Sequence, residues 1–393
     1  MLLGSLSGAD RVELNGDVLP WIVIGFAFLS LLIGNPFFDE RLVLAGIPLN
    51  PVVFGCLSAG LAFLLLRKDD WAIYALGILP TSALLVTAFW SRDIDYGLLK
   101  YSGLVISSGL TFLYFVAGIR MVGTEACFRI LTWILLTLLL IAFAYKLQFG
   151  FFDRQVRFFL NGPIVFGRLM SLGAIAALIG FTGLARIVLA TTFVLAVLWT
   201  ASKGPILGVS IGLVYFTWIK SPPARRPYLL LIGASIVASV ILLGSIQSEG
   251  YAGRILALLL LFTDPASALS DSGPFGNRVA LYGDTFALIA KFPMGVGLGA
   301  WSSFVADDYG LYYPHNLFLE VFSESGILLG LIGITPFLLF LAVRHSVFTL
   351  PALYFLVVQQ VSGDLLDARF ILVFSMLAIW AELGGRDGRG RLV

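Results

Sequence analysis

His315 is one of only two histidines in the 393-residue chain, and it stands in YYPHN, where a long polar loop runs back into apolar sequence. An imidazole with a reference pKa near 6.5 accepts a proton near neutral pH without special tuning, so general-base work is the chemistry it suggests. The cations Arg92, Arg154, Arg157, Lys203, Arg278 and Arg369, with Arg168 shortly inside an apolar run, form a second group. Taken singly, each reads as a solvated or snorkelling side chain. Taken together they call for an anion, and guanidinium forks suit phosphate oxygens best. Asn316 follows the histidine directly, and Glu320 and Asp364 are the carboxylates that would serve as a base in its place.

What must position these groups is a membrane bundle. Hydrophobic residues make up 59% of the chain, charged residues 12%, and the mean hydropathy is +0.97. Soluble domains carry about a quarter charged residues, so a soluble fold is excluded. Apolar segments fall at 19–35, 50–66, 71–90, 97–118, 126–146, 164–182, 186–202, 204–219, 228–246, 317–343, 346–362 and 370–383, which predicts about twelve transmembrane helices. Strands of about ten alternating residues are absent, which argues against a barrel. The mixed charges Asp10, Arg11, Glu13 and Asp17 precede the first run and no small-residue cleavage site follows, so that run is expected to stay as a helix.

The basic residues orient the bundle. Arg67 with Lys68, Arg120, Arg186, Lys220 with Arg225 and Arg226, and Arg344 fall in alternate short loops, and Arg386, Arg389 and Arg391 in the tail. The positive-inside rule then puts both termini in the cytoplasm. The cations listed first break that rule, on the outer face. There too lies the largest loop, 247–316. Within it, RILALLLLF (254–262) is too short to span, and 277–292 reads as an amphipathic helix with Val279, Tyr282, Phe286 and Ile289 on its apolar stripe. Arg278 falls in its first turn, and Pro293 ends it.

Other motifs carry less. GVGLG (295–299) has no preceding strand and lacks the G-x-G-x-x-G spacing, so a tight turn at a close backbone approach replaces a nucleotide-loop reading. Adjacent carboxylates generally point apart, so Asp307 and Asp308 read as a solvated loop rather than a metal site. Cys56 and Cys127 lie in apolar runs as small hydrophobes, and His345 sits beside Arg344 on the inner side. Neither a metal nor a cofactor is expected.

His315 and Asn316, followed after nine residues by Gly326, resemble the signature of the bacterial O-antigen ligase and O-antigen polymerase superfamily. HNLFLEVFSESG (315–326) is the closest stretch. RVALYGDTFALIAKFPMGVGLGAW (278–301) is similar to the family's loop helix and glycine turn, and TASKGPILG (200–208) to its T-G-S-R-G segment with Lys203 for arginine. Arg154 or Arg157, ahead of NGPIVFGR, looks like the family's arginine-bearing loop, and SGDLLDAR (362–369) resembles a segment of polysaccharide polymerases. The resemblance implies an all-helical membrane glycosyltransferase of the C type, acting on the periplasmic side on undecaprenyl-pyrophosphate-linked glycans. It implies that Arg154, Arg157, Arg278 and Lys203 hold the pyrophosphate and that His315 activates the acceptor.

These readings combine into an all-α inner-membrane protein: nine spans over 1–246, a periplasmic loop over 247–316, and three spans with a cytoplasmic tail over 317–393. The expected activity is inverting, metal-independent transfer of a glycan to an acceptor hydroxyl. Leu329, where ligases carry Gly, Thr or Tyr, and SGDLLDAR favour a polymerase; a ligase using lipid A-core is the alternative. A transporter or flippase for lipid-linked glycans is the rival from another class, weighed down by the lack of internal repeats. The lipid bilayer, the donor and the acceptor are the expected partners, with a chain-length regulator left open and no nucleic acid.

Overall fold

The computed structural model describes residues 18–32, 43–44, 47–48, 68–151, 156, 158, 162–219, 260, 263–270, 276–305, 311–343 and 346–384. Ten of the apolar segments named above form helices. They are α1 (Val18–Leu31), α2 (Lys68–Ile78, carried on by short turns to Trp90), α3 (Ile94–Val122), α4 (Thr124–Phe149), α5 (Pro163–Gly180), α6 (Gly183–Trp199) and α7 (Lys203–Ile219). After the loop helix α8 (Gly276–Lys291) come α9 (Leu317–Leu338), α10 (Thr349–Ser362) and α11 (Arg369–Gly384). A two-residue antiparallel ladder joins β1 (Val43–Leu44) to β2 (Ile47–Pro48). The expected spans 50–66 and 228–246 lie outside the described residues, as do Arg154, Arg157, Asp307, Asp308, Cys56 and His345.

Among the described residues, five helices are long and apolar enough to cross a membrane: Asp70–Trp90, Ile94–Val122, Thr124–Phe149, Pro163–Gly180 and Leu317–Ala342. Val18–Leu31, Gly183–Trp199 and Thr349–Ser362 are shorter apolar helices. The chain is an all-α membrane protein. Most of α5 and α11 is buried inside the bundle, and α5 uses small residues to get there. A Cβ added at Gly173 would sit 2.5 Å from the Phe193 ring of α6, and one at Gly180 would sit 2.7 Å from the Arg129 backbone nitrogen of α4.

Side-chain ties define the two ends of the bundle. At one end Arg120, in the last turn of α3, forks Asp70 at 2.5 and 2.6 Å, while Trp380 of α11 donates to the same carboxylate at 3.1 Å. The other end gathers the last residue of α1, the first two turns of α5, the starts of α7, α9 and α11, and the last turn of α10. All the described outer-face cations of the sequence reading lie there.

Two local features shape that end. Gly326 breaks α9 with φ 72° and ψ 176°. The break turns the Ile327 N–H to Pro293 O at 3.1 Å and frees the carbonyls of Ser323 and Glu324, which accept from Val296 N and Gly297 N at 2.9 Å each. The helix kink and the glycine turn therefore complete each other's backbone hydrogen bonds. Gly295 (φ 80°) meets Gly326 so closely that a Cβ on it would lie 2.4 Å from Glu324 O, so only glycine serves at this crossing. The expectation of a close backbone approach at GVGLG holds, and the approaching partner is a helix.

The second feature corrects the expected stripe of α8. The helix forms as predicted, yet it buries Leu281, Thr285 and Leu288 against Val296, Ala300 and Trp301, leaving Val279 and Phe286 46% and 60% exposed. Trp301 donates its indole N–H to Thr285 Oγ1 at 3.2 Å, and this anchor selects the face. Both stripes are apolar, so periodicity alone does not choose between them.

Candidate active site

The last three carbonyls of α10 have no intrahelical partner, and side chains from three other elements take them. Asn316 Nδ2 donates to Gln360 O at 3.0 Å, and the Tyr282 hydroxyl reaches the same oxygen at 3.3 Å. Arg278 Nη1 donates to Val361 O. Arg168 Nη2 donates to Ser362 O at 2.6 Å, and its Nη1 pairs with Asp367. Cations at a helix C-terminus are favoured by its dipole as well. A stripe of guanidinium and amide donors thus converges on one helix end.

Asn316 does two jobs there. Its Oδ1 caps α9 by accepting from Leu319 N at 3.0 Å, while its amide ties the cap to α10. The residue before it, His315, has φ 58°, a left-handed conformation rare outside glycine. Tyr313 lies edge-on to the imidazole, with ring centroids 4.5 Å apart. His315 Nδ1 is buried and has no hydrogen-bond partner among the described residues. Burial, helped by the neighbouring charges of Arg278 and Arg168, pulls the imidazole down to about 4. It is neutral at physiological pH.

The 363–368 connection brings two carboxylates to the same place. Asp364 Oδ1 caps its own turn by accepting from Asp367 N at 2.8 Å, and burial together with Asp367 pushes its carboxyl up to about 6. Asp367 itself is held low: burial works to raise it, and the charges of Arg168 and Arg369 prevail. The Tyr313 hydroxyl is pushed up by burial and by Asp364 and Asp367.

Among the described residues the cations divide by partner. Arg168 is neutralised by Asp367, though its Nε is buried without an acceptor. Arg369 ties α11 to α1 through Leu31 O at 2.9 Å and also reaches Leu366 O at 3.1 Å and Asp367 at 3.7 Å. Arg92 lies 4.7 Å above the Phe304 ring. Arg278 differs: its hydrogen bond goes to a neutral carbonyl and no ion pair to it forms. Lys203 opens α7 beside this cluster, since a Cβ on the adjacent Gly204 would lie 2.6 Å from Ser362 Oγ.

Glu320 belongs to a separate buried network that the sequence reading did not foresee. Lys100 of α3 donates to Glu320 at 2.5 Å and Glu324 at 3.1 Å, one turn apart on α9. The second oxygen of Glu320 accepts from Leu365 N at 3.0 Å, and that of Glu324 accepts from Gly299 N at 2.8 Å. The signal was present as a lysine inside an apolar segment facing two carboxylates at i and i+4 spacing. Asp367, the partner of Arg168, was missed because nothing in its local sequence separates it from Asp364.

Comparison with known proteins agrees with this architecture. A family model described as O-antigen ligase matches residues 187–334, a stretch that runs from α6 through α8 and the glycine turn to the kink in α9. No curated protein gives a match. The matched segment, less than half of the chain, contains His315, Asn316, Arg278 and Gly326 together, and over it the chain is similar to the O-antigen ligase family, which supports the resemblance to the O-antigen ligase and polymerase superfamily.

Proposed function

We propose that the protein is a membrane glycosyltransferase that moves a glycan from undecaprenyl pyrophosphate to the hydroxyl of an acceptor glycan, with inversion and without a metal. The observation that carries the reading is the pairing of Arg278, whose charge meets only a carbonyl among the described residues, with a neutral buried imidazole close enough to feel it. A diphosphate offers Arg278 charged oxygens in place of Val361 O, and a guanidinium fork gains from the exchange. Lys203 stands near enough to share that load, and Arg154 and Arg157 are assigned to it by resemblance alone.

In the reaction, His315 takes the proton of the acceptor hydroxyl, and the oxygen attacks the anomeric carbon from the face opposite the pyrophosphate. The bond from that carbon to the pyrophosphate oxygen breaks, and the lipid pyrophosphate leaves with the electron pair. Arg278 stabilises the charge that collects on it. Donor binding also serves the base: phosphate oxygens against Arg278 offset the cationic field on His315 and raise its affinity for a proton. The site is taken to face the periplasm, with both termini in the cytoplasm and 247–316 as the outer loop.

Leu329 and SGDLLDAR support a polymerase, while the description of the matching family supports a ligase as the second reading. One reconstitution separates them. Purified protein receives the lipid-pyrophosphate oligosaccharide with lipid A-core and a second donor molecule as rival acceptors. Extension of the second donor is the expected result, and transfer to lipid A-core turns the assignment to ligase. Product formed in detergent, where no compartment exists, excludes transport as the whole function; no product with either acceptor overturns the transferase reading. In the same assay Arg278→Ala and Arg278→Lys both lose most turnover, since lysine keeps the charge without the fork.

A further inference from the structure

We propose that Tyr312 and Tyr96 form a stacking subsite for a pyranose ring of the acceptor glycan, a step that rests on the transferase reading above. Tyr312 is 68% exposed and stands three residues ahead of His315 in the same loop. Its ring lies 5.9 Å from that of Tyr96 at 50°, so the two rings form an open wedge rather than a closed stack. Tyr96, in the first turn of α3, has the Lys100 ammonium over its ring, 4.8 Å from the centroid. Lys100 is in turn paired with Glu320 and Glu324, which ties the Tyr96 side of the wedge to the buried network.

A pyranose carries C–H groups on its faces and hydroxyls around its rim. A tyrosine matches this with an apolar face and a polar tip. The next ring in the loop, Tyr313, touches the imidazole edge-on. A sugar seated on Tyr312 would therefore lie about one residue's reach from the base that must take its proton. A tyrosine of the membrane-interface belt would also be exposed. Such a tyrosine, however, has no reason to be paired with a second ring anchored to the same buried network that braces the site.

The test uses the full-length protein in detergent, with the lipid-linked donor saturating. The acceptor probe is the free oligosaccharide repeat released by mild acid from the organism's own donor. Tyr312→Ala should raise the acceptor KM by about three- to tenfold, the range that aromatic stacking energies give, with donor KM unchanged. Tyr312→Phe and Tyr312→Trp should restore the acceptor KM, because the ring face and not the hydroxyl does the binding. An unchanged acceptor KM in Tyr312→Ala, or an equal rise in donor KM, overturns the subsite. If wild-type protein joins no glycan at all, the transferase reading has failed, and titration of the same oligosaccharide by intrinsic fluorescence still decides the subsite. Weaker binding in Tyr312→Ala than in wild type upholds it, and equal binding rejects it.

Discussion

Lys100 and Arg278 bring positive charge to the same end of the bundle, and they are treated in opposite ways. Lys100 is fully buried against two glutamates, and all four carboxylate oxygens are spoken for: two by the ammonium and two by the backbone N–H groups of Leu365 and Gly299. Such a network leaves a ligand no unpaired carboxylate oxygen. Its use is to lock α3, α9, the glycine turn and the 363–368 connection into one piece. Around Arg278 the accounting stays open. Among the described residues, a guanidinium rests on a carbonyl, His315 Nδ1 and Arg168 Nε are unpaired, and Gln359, fully buried, has no partner for its amide nitrogen or oxygen. Unsatisfied buried polar atoms are costly and uncommon, so a concentration of them is where a ligand belongs. Paired carboxylates mark the strut, and unpaired groups mark the proposed site.

The largest effect should come from the open cluster. His315→Ala is expected to lower turnover by about 10²–10⁴, the usual contribution of a general base, while donor binding stays close to wild type. His315→Gly sharpens the test: it removes the same imidazole and also suits φ 58°, so thermal stability should hold or rise as turnover is lost. More than about a tenth of wild-type turnover in both variants would be too much for the loss of a base. The imidazole would then be assigned to holding the acceptor, and Asp364 would become the base to examine.

The closed network should break in the other direction. Lys100→Ala leaves two buried carboxylates facing each other and should cost about 3–5 kcal/mol of stability, read as a fall in the detergent melting temperature. Replacing all three together, Lys100→Met with Glu320→Gln and Glu324→Gln, should recover much of that loss along with turnover per folded molecule. Glu320→Gln that melts normally yet loses turnover would move Glu320 from strut to site and undo the contrast.

A smaller effect distinguishes the free from the loaded site. In its proposed role as base His315 must be neutral, so activity should fall as pH falls. The acid limb of kcat/KM reports the free enzyme and should lie near 4, where burial and the two arginines hold the imidazole. The limb of kcat reports the donor-bound enzyme and should lie higher, toward the reference value of about 6.5, since the diphosphate offsets the arginine charges. Coincident limbs would mean that the donor does not reach Arg278. Arg168→Lys should matter least for chemistry, because Asp367 already balances its charge.

Much of the frame was legible in the chain alone. Long apolar runs admit only helices in lipid, so the described spans fall where hydropathy put them. Proline after Lys291 ended α8 as expected, and glycines spaced by one residue marked a close crossing. The candidate site residues could be picked out too, since a histidine or arginine at the mouth of a span stands out against an apolar background. Their partners were not. Which stripe of α8 faces inward, that Asp367 rather than Asp364 neutralises Arg168, and that Glu320 is consumed by Lys100 all depend on residues distant in sequence. Hydropathy and spacing act locally and decide what each segment becomes. Pairing inside the bundle is decided by the meeting of helix ends, where each buried donor and acceptor must find an opposite number that its own segment cannot supply.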